Sequence, residues 1–461
     1  MQADSRKIIS ENIVADRSKL KIICVFLHRI YFGRIPYERQ YRGKKRKAMN
    51  ITELQQSYAS HPNVEGVCRL LKDNSVRHLY CGGLYASAAS LFSSVLVQRA
   101  TCPLVFILGD MEEAGYFYHD LTQILGTEQV LFFPSSFRRA IKYGQKDAAN
   151  EILRTEVLSR LQKGEEGLCV VTYPDALAEK VVSRKELGEN TLKLHAGERV
   201  DMNFVTDVLR SYGFEYVDYV YEPGQYAVRG SIIDVFSFSS EYPFRIDFFG
   251  DEVESVRTFE VETQLSKEKK ESIVIVPDLS HSLEKKGSGG MVSFLDFLPS
   301  DSLLAMRDFL WLRERIQTVH DESLTPQAIA ARESEENGAI TLEGKLIDGG
   351  EFTLRALDFR RMEFGNKPTG TPDATVSFHT TVQPIFHKNF DMVAESFREY
   401  LSRHYTIYIC SDSLKQTDRI RAIFEDRGDN ISFTAVERTL HEGFADDTLR
   451  ICVFTDHQLF D

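Results

Sequence analysis

Four short, mostly apolar runs constrain this chain most: Arg77–Cys81, Leu104–Leu108, Val130–Phe133 and Leu168–Thr172. A strand with one face in water alternates apolar and polar residues, whereas a strand covered on both faces reads as a continuous apolar run. Between the runs lie windows of helical length near Leu84–Gln98, Met111–Leu125 and Asp147–Gln162. In the last window Leu153, Val157 and Leu161 recur every four residues, with Asp147 placed as N-cap. Strands alternating with such helices predict an α/β fold built on a doubly wound parallel sheet over residues 49–190.

The texture changes after about residue 190. A helical window, Asp201–Tyr212, precedes closely spaced strand-like runs at Phe214–Val220, Gln225–Val228, Ser231–Phe238, Phe244–Phe249 and Val253–Phe259. Pro223-Gly224, Arg229-Gly230, Tyr242-Pro243 and Gly250-Asp251 mark the turns that antiparallel hairpins require. Residues 191–276 therefore read as an inserted small α+β module. Residues 267–290 are polar around one strand, Ile273–Val276, and the Gly/Ser stretch 287–290 has linker composition. Residues 277–374 read as a continuation of the first domain. A second small α/β domain, 375–461, shows strand Thr406–Cys410, helix Leu414–Asp426 and strands Ile431–Phe433 and Leu449–Phe454.

Charge divides the chain unevenly. The net charge is −12, yet residues 1–48 hold thirteen Lys/Arg against four Asp/Glu, leaving −21 on the rest. This basic extension has no signal-peptide pattern and is not expected to join the fold, with Met49 a plausible alternative start. The acidic body repels a phosphate backbone and suits protein partners better. The longest apolar run, Ile22–Leu27, falls far short of the roughly 20 residues a bilayer needs, so no membrane partner is expected. Seven scattered cysteines without a C-x-x-C pair argue against disulfides or zinc and fit a reducing cytoplasm. No metal ligand set, cofactor motif or catalytic constellation emerges.

Two stretches carry more specific chemistry. After the first strand the chain reads Gly82-Gly83-Leu84-Tyr85-Ala86-Ser87-Ala88-Ala89-Ser90. On the G-x-x-x-x-G-K-[ST] phosphate-loop template Gly83 and Ser90 fit, while Ala88 replaces the second glycine and Ala89 the lysine. Without that cation the triphosphate loses its charge-assisted contact, which predicts a phosphate-loop shape that binds no nucleotide. In the module, strand alternation puts Phe244, Ile246 and Phe248 on one face and Arg245, Asp247 and Phe249 on the other. Exposed arginine beside exposed phenylalanine suits a protein-docking hot spot. The alternative is a solvated face on which Arg229 and Arg245 are internal ion-pair partners.

The run Tyr221–Arg257, continuing through Thr258–Ser266, resembles the module shared by the excision-repair helicase UvrB and the transcription-repair coupling factors. The resemblance covers about residues 50–461 and implies that Arg229, Arg245 and Phe249 bind UvrA. The altered loop, and a Phe133–Asp147 connection too short for the DNA-clamping hairpin of UvrB, favour the coupling factors. So does the stretch from Leu440 to Phe444 and from Thr455 to Phe460, which resembles the end of their third domain. The resemblance implies an N-terminal adaptor portion, without ATPase activity of its own, that recruits UvrA to stalled RNA polymerase. Contacts with RNA polymerase and double-stranded DNA would fall to other domains of such a protein. A UvrB-like damaged-DNA-binding or ATP-dependent helicase domain is the competing expectation.

Overall fold

Seven parallel strands form the largest sheet, in the spatial order Ala374–Ser377, His78–Gly82, Arg360–Gly365, Leu303–Met306, Leu104–Ile107, Cys169–Thr172 and Val130–Phe133. This is a mixed α/β architecture, seen in a computed structural model that describes residues 48–136, 148–278, 290–323 and 344–460. The basic extension, the Asp147 cap, the Gly/Ser stretch before Gly290 and most of the connection after Phe133 lie outside the described residues. Every residue of Leu104–Ile107, Val130–Phe133 and Cys169–Thr172 is buried, as their unbroken apolar runs require. Helices Ile51–Ala59, Ser87–Arg99 and Met111–Leu125 pack together as one group, and Pro174–Ala178, Phe309–Ser323 and Gly349–Ala356 as another.

The strand Ala374–Ser377 pairs with His78–Gly82, so the division expected at 374/375 falls inside an edge strand of this sheet.

The inserted module holds a six-stranded sheet in the order Ser266–Lys270, Glu252–Phe259, Phe244–Phe249, Ile232–Val235, Gln225–Arg229, Glu215–Tyr216. The expected strand Phe214–Val220 shrinks to two residues, and the rest of it becomes a loop over the sheet. The charged run after Leu265, read as polar connection, is instead an edge strand; it buries no face, so no apolar residues mark it. Leu192–His195 pairs with Ser272–Ile275 and closes the module at its base. Helix Met202–Ser211, capped by the Asp201 carboxylate, sets Val205 and Leu209 against Ile233, Val235, Ile246 and Phe248.

The last unit is a six-stranded sheet ordered Met49–Asn50, Thr434–Glu437, Thr406–Ser411, Ile451–Thr455, Phe444–Asp446, Thr380–Val382. The strand expected at Ile431–Phe433 instead runs over Thr434–Glu437, with Ile431 and Phe433 packed on the core just before it, and Met49–Asn50 adds a strand from the opposite end of the described chain. A buried cluster fastens this unit to the N-terminal helices. The Tyr58 hydroxyl donates to Asp446 Oδ2 at 2.8 Å, His61 Nε2 lies 3.5 Å from the same oxygen, and Asp446 Oδ1 accepts from the Thr448 and Leu449 amides. Burial alone would raise the Asp446 carboxyl, but the nearby His61 imidazole and the hydrogen bonds from Leu449 and Tyr58 outweigh it and hold the group below its usual range. Tyr58→Phe strips one donor from this buried carboxylate. It is expected to cost about 2 kcal/mol in chemical denaturation; an unchanged midpoint would show that the other donors suffice.

Candidate functional site

Two glycine turns shape the outer face of the module. Gly230 (φ +62) and Gly250 (φ +63) each open a two-residue hairpin, joining Arg229 to Ile232 and Phe249 to Glu252. Glycine at the first central position is what a type II′ hairpin demands. The second turn puts Phe249 at the hairpin tip with 80% of its surface exposed, while Phe248 turns inward. A bulge between Asp247 and Phe248 adds local twist just before the tip.

Four residues back on the same face, about 13 Å along the strand, lies a charge cluster around Asp234. Strand register sets Asp234 between Ala227 and Arg245. Arg245 grips the carboxylate with two prongs, Nε to Oδ1 at 2.7 Å and Nη2 to Oδ2 at 2.9 Å, while Arg229 Nη2 donates to Oδ2 from the other side. The Asp234 side chain is fully buried, that of Arg245 is 15% exposed and that of Arg229 36% exposed. The hydrogen bonds that Arg245 donates to Asp234 outweigh its partial burial and raise its guanidinium above the usual value. Two cations against one buried carboxylate leave a net positive spot that Arg229 brings to the surface. Asp247 pairs separately with Arg257 at 3.3 Å.

What buries Asp234 is a small second core on this same face: Val220, Ala227, Phe236 and Phe259, roofed by the loop after Tyr216. Arg245 lies over the Phe259 ring at 4.5 Å and Arg229 over Tyr219 at 5.1 Å. The three expected docking residues therefore share a face in different states: Phe249 free, Arg229 half-buried, Arg245 anchored inside. Sequence reasoning missed Asp234, although an aspartate inside Ile232-Ile233-Asp234-Val235-Phe236 was itself a signal that something charged must meet it.

The phosphate-loop-like turn follows His78–Gly82. Gly83 has φ +77, and Ala86, the residue before helix Ser87–Arg99, has φ +50. Ala88 is fully buried, and Ala89, almost fully buried, offers only a methyl group to the adjoining cavity. Two backbone donors of the loop are taken by the chain itself: the Tyr85 amide donates to Thr380 Oγ1 at 2.9 Å and the Ser87 amide to the Glu442 carbonyl at 3.2 Å. Ser87 Oγ accepts in return from the Glu442 amide, and Ser90 Oγ donates to Asp120, which also accepts from the His441 amide at 2.7 Å. The 440–444 segment of the last unit thus caps this helix.

Beside it remains a cavity of about 380 Å³ walled by Asp110, Glu112, Glu113, Asp120 and Glu442, with Arg307 as its guanidinium. Arg307 is already paired with Glu113 at 2.6 Å. Burial raises the Glu442 carboxyl, partly offset by Arg307, and lowers the His441 imidazole, which stacks on Tyr116 with ring centres 3.5 Å apart. The wall is predominantly acidic and opposes a polyphosphate. No helix among the described residues is long and apolar enough to cross a membrane.

Comparison with known proteins places these features in a family context. Residues 192–281 match the UvrB interaction domain. The transcription-repair-coupling factor of Bacillus subtilis is 21% identical over 82% of this chain and 38% of its own length. Those of Escherichia coli and Haemophilus influenzae are 29% identical over 42% and 46% of this chain, covering 17% and 18% of their own lengths. The chain therefore spans well under half of the curated relatives it matches. Residues 192–281 are thus similar to the UvrB interaction domain, and the chain is homologous, over 82% of its length, to the transcription-repair-coupling factor of Bacillus subtilis.

Proposed function

We propose that this chain is the adaptor portion of a transcription-repair coupling factor, docking UvrA on the outer face of its module and so directing excision repair to stalled RNA polymerase. The observation that carries the reading is Phe249, four-fifths exposed at a rigid hairpin tip beside a cationic cluster, inside a domain of the UvrB interaction type. A desolvated aromatic next to a guanidinium is the usual composition of an interface anchor. The helicase-like first sheet acts as scaffold and hydrolyses no ATP: two alanines stand where glycine and lysine would serve, the Tyr85 and Ser87 amides are engaged, and the ionisable groups of the adjoining cavity are mostly acidic. Engagement of RNA polymerase and double-stranded DNA belongs to parts of the whole protein outside this chain.

Calorimetric titration with purified UvrA tests the reading. Phe249→Ala is expected to weaken binding about 30-fold with no change in melting temperature, since the ring packs on nothing in the module. Equal affinity of variant and wild type, or no binding by the wild type, would remove the adaptor reading. In parallel, ATP with Mg²⁺ should leave the melting temperature unchanged; a stabilising shift would instead favour a UvrB-like nucleotide-driven or damaged-DNA-binding domain.

A further inference from the structure

The end of the outer face opposite Phe249 holds features that the proposed function leaves unused. Gln264, in the turn between Glu252–Phe259 and Ser266–Lys270, has φ +57, a left-handed backbone that a residue with a side chain adopts at a cost. Its contacts pin it there. The Gln264 carbonyl accepts from Arg245 Nη1 at 3.1 Å, its amide donates to Glu260 O at 2.8 Å, and its Nε2 donates to Val220 O at 3.2 Å and Val261 O at 2.8 Å. One residue thus joins the arginine pair, the 260–265 turn and the 217–222 loop. The next side chain, Leu265, is 68% exposed, and Tyr219, stacked on Arg229, is half exposed. A large aliphatic group displayed from so constrained a turn belongs to neither core of the module, whereas an interface anchor requires both exposure and prior ordering.

We infer that the docking face spans the whole outer surface, with Leu265 and Tyr219 as a second apolar anchor across the cationic centre from Phe249, and with Gln264 as the residue that positions them. The occupant is UvrA, because this patch is continuous with the Arg229–Arg245–Phe249 face through the Gln264 carbonyl and the Arg229–Tyr219 stack; the inference rests on the adaptor reading. The matching partner surface carries two apolar sockets flanking an acidic group.

The test is equilibrium binding of UvrA to wild type, Phe249→Ala, Leu265→Asp, Gln264→Gly and Gln264→Asn, each with its melting temperature. Leu265→Asp is expected to weaken binding about tenfold or more without shifting the melting temperature. Gln264→Gly keeps a backbone suited to positive φ but releases the 217–222 loop; it should lose about fivefold in affinity, partly recovered in Gln264→Asn, which restores an amide. Hydrogen exchange should slow over 217–222 and 260–265 when UvrA is added. If Phe249→Ala weakens binding while Leu265→Asp binds as wild type, the second anchor is overturned and the adaptor reading stands. If the wild type does not bind, or Phe249→Ala is silent, the adaptor reading falls and takes this inference with it.

Discussion

Arg245→Glu is expected to unfold the module rather than merely weaken its docking. The substitution removes the two-pronged donor from a fully buried carboxylate and sets a second carboxylate against it. Breaking a buried ion pair from one side costs about 3–5 kcal/mol, because the surviving charge stays desolvated, and here Asp234 would keep only Arg229 against it. That is a large share of what holds a module of this size together. The carbonyl of Gln264 and the ring of Phe259 lose their cation as well. Chemical denaturation should show an early transition absent from the wild type, reporting the core around Ile233, Val235 and Ile246. Removing both partners separates charge from shape: Asp234→Asn with Arg245→Gln should recover much of the loss, since no buried ion remains. If Arg245→Glu denatures like the wild type, the pair does not organise the module, and Arg245 must be valued for docking alone. Loss of UvrA binding in this variant says nothing about the interface unless folding is intact, which is why Phe249 is the cleaner probe.

Gly83→Ala should be comparably damaging for a different reason. A Cβ at Gly83 would sit 2.0 Å from the Phe378 carbonyl oxygen, a backbone atom that no rotamer change can move aside. Relief requires separating the loop from the 378–380 segment. That would loosen the bonds from the Phe378 amide to Gly82 O (2.8 Å) and from Thr380 Oγ1 to Gly83 O (2.7 Å). Added to the left-handed backbone at φ +77, the cost is expected to reach about 4 kcal/mol. Gly428 supplies the control: it has φ +72 with nothing within 4 Å of its would-be Cβ, so Gly428→Ala should cost only about 1 kcal/mol. Denaturation midpoints of the two variants isolate the steric part. Equal losses would mean that the loop and the 378–380 segment separate freely.

What was legible in the sequence follows from which forces act locally. Apolar runs such as Val130–Phe133 declare a strand buried on both faces because the pattern itself is the cause of burial. Ser266–Lys270 could not be read so, since an edge strand is formed by pairing with Glu252–Phe259 and its charges advertise only exposure. The alternation in Phe244–Phe249 placed Arg245 and Phe249 on one face correctly, but alternation carries no information about what covers that face. The roof of Val220, Phe236 and Phe259 that buries Asp234 depends on a loop folding back over the sheet. In the same way, Ala88 and Ala89 told of a missing lysine, while the capture of the Ser87 amide by Glu442 joins residues far apart in the chain.

The strand order of the large sheet also dictates a timetable for synthesis. His78–Gly82 lies between Arg360–Gly365 and Ala374–Ser377, so an early strand gains its first lateral neighbour only once residue 365 has been made and its second at residue 377. The inserted module, zipped shut by Leu192–His195 against Ser272–Ile275 and provided with its own core, waits for nothing downstream. Short-range closures form ahead of long-range ones because less chain entropy must be surrendered. On the ribosome the module is therefore able to fold as a unit before the large sheet is complete, and the scaffold finishes its assembly around it. Met49–Asn50, whose partner strand is Thr434–Glu437, waits longest for its neighbour. Proteolysis of nascent chains arrested between the end of the module and residue 360 should find the module resistant while His78–Gly82 is still open to cleavage.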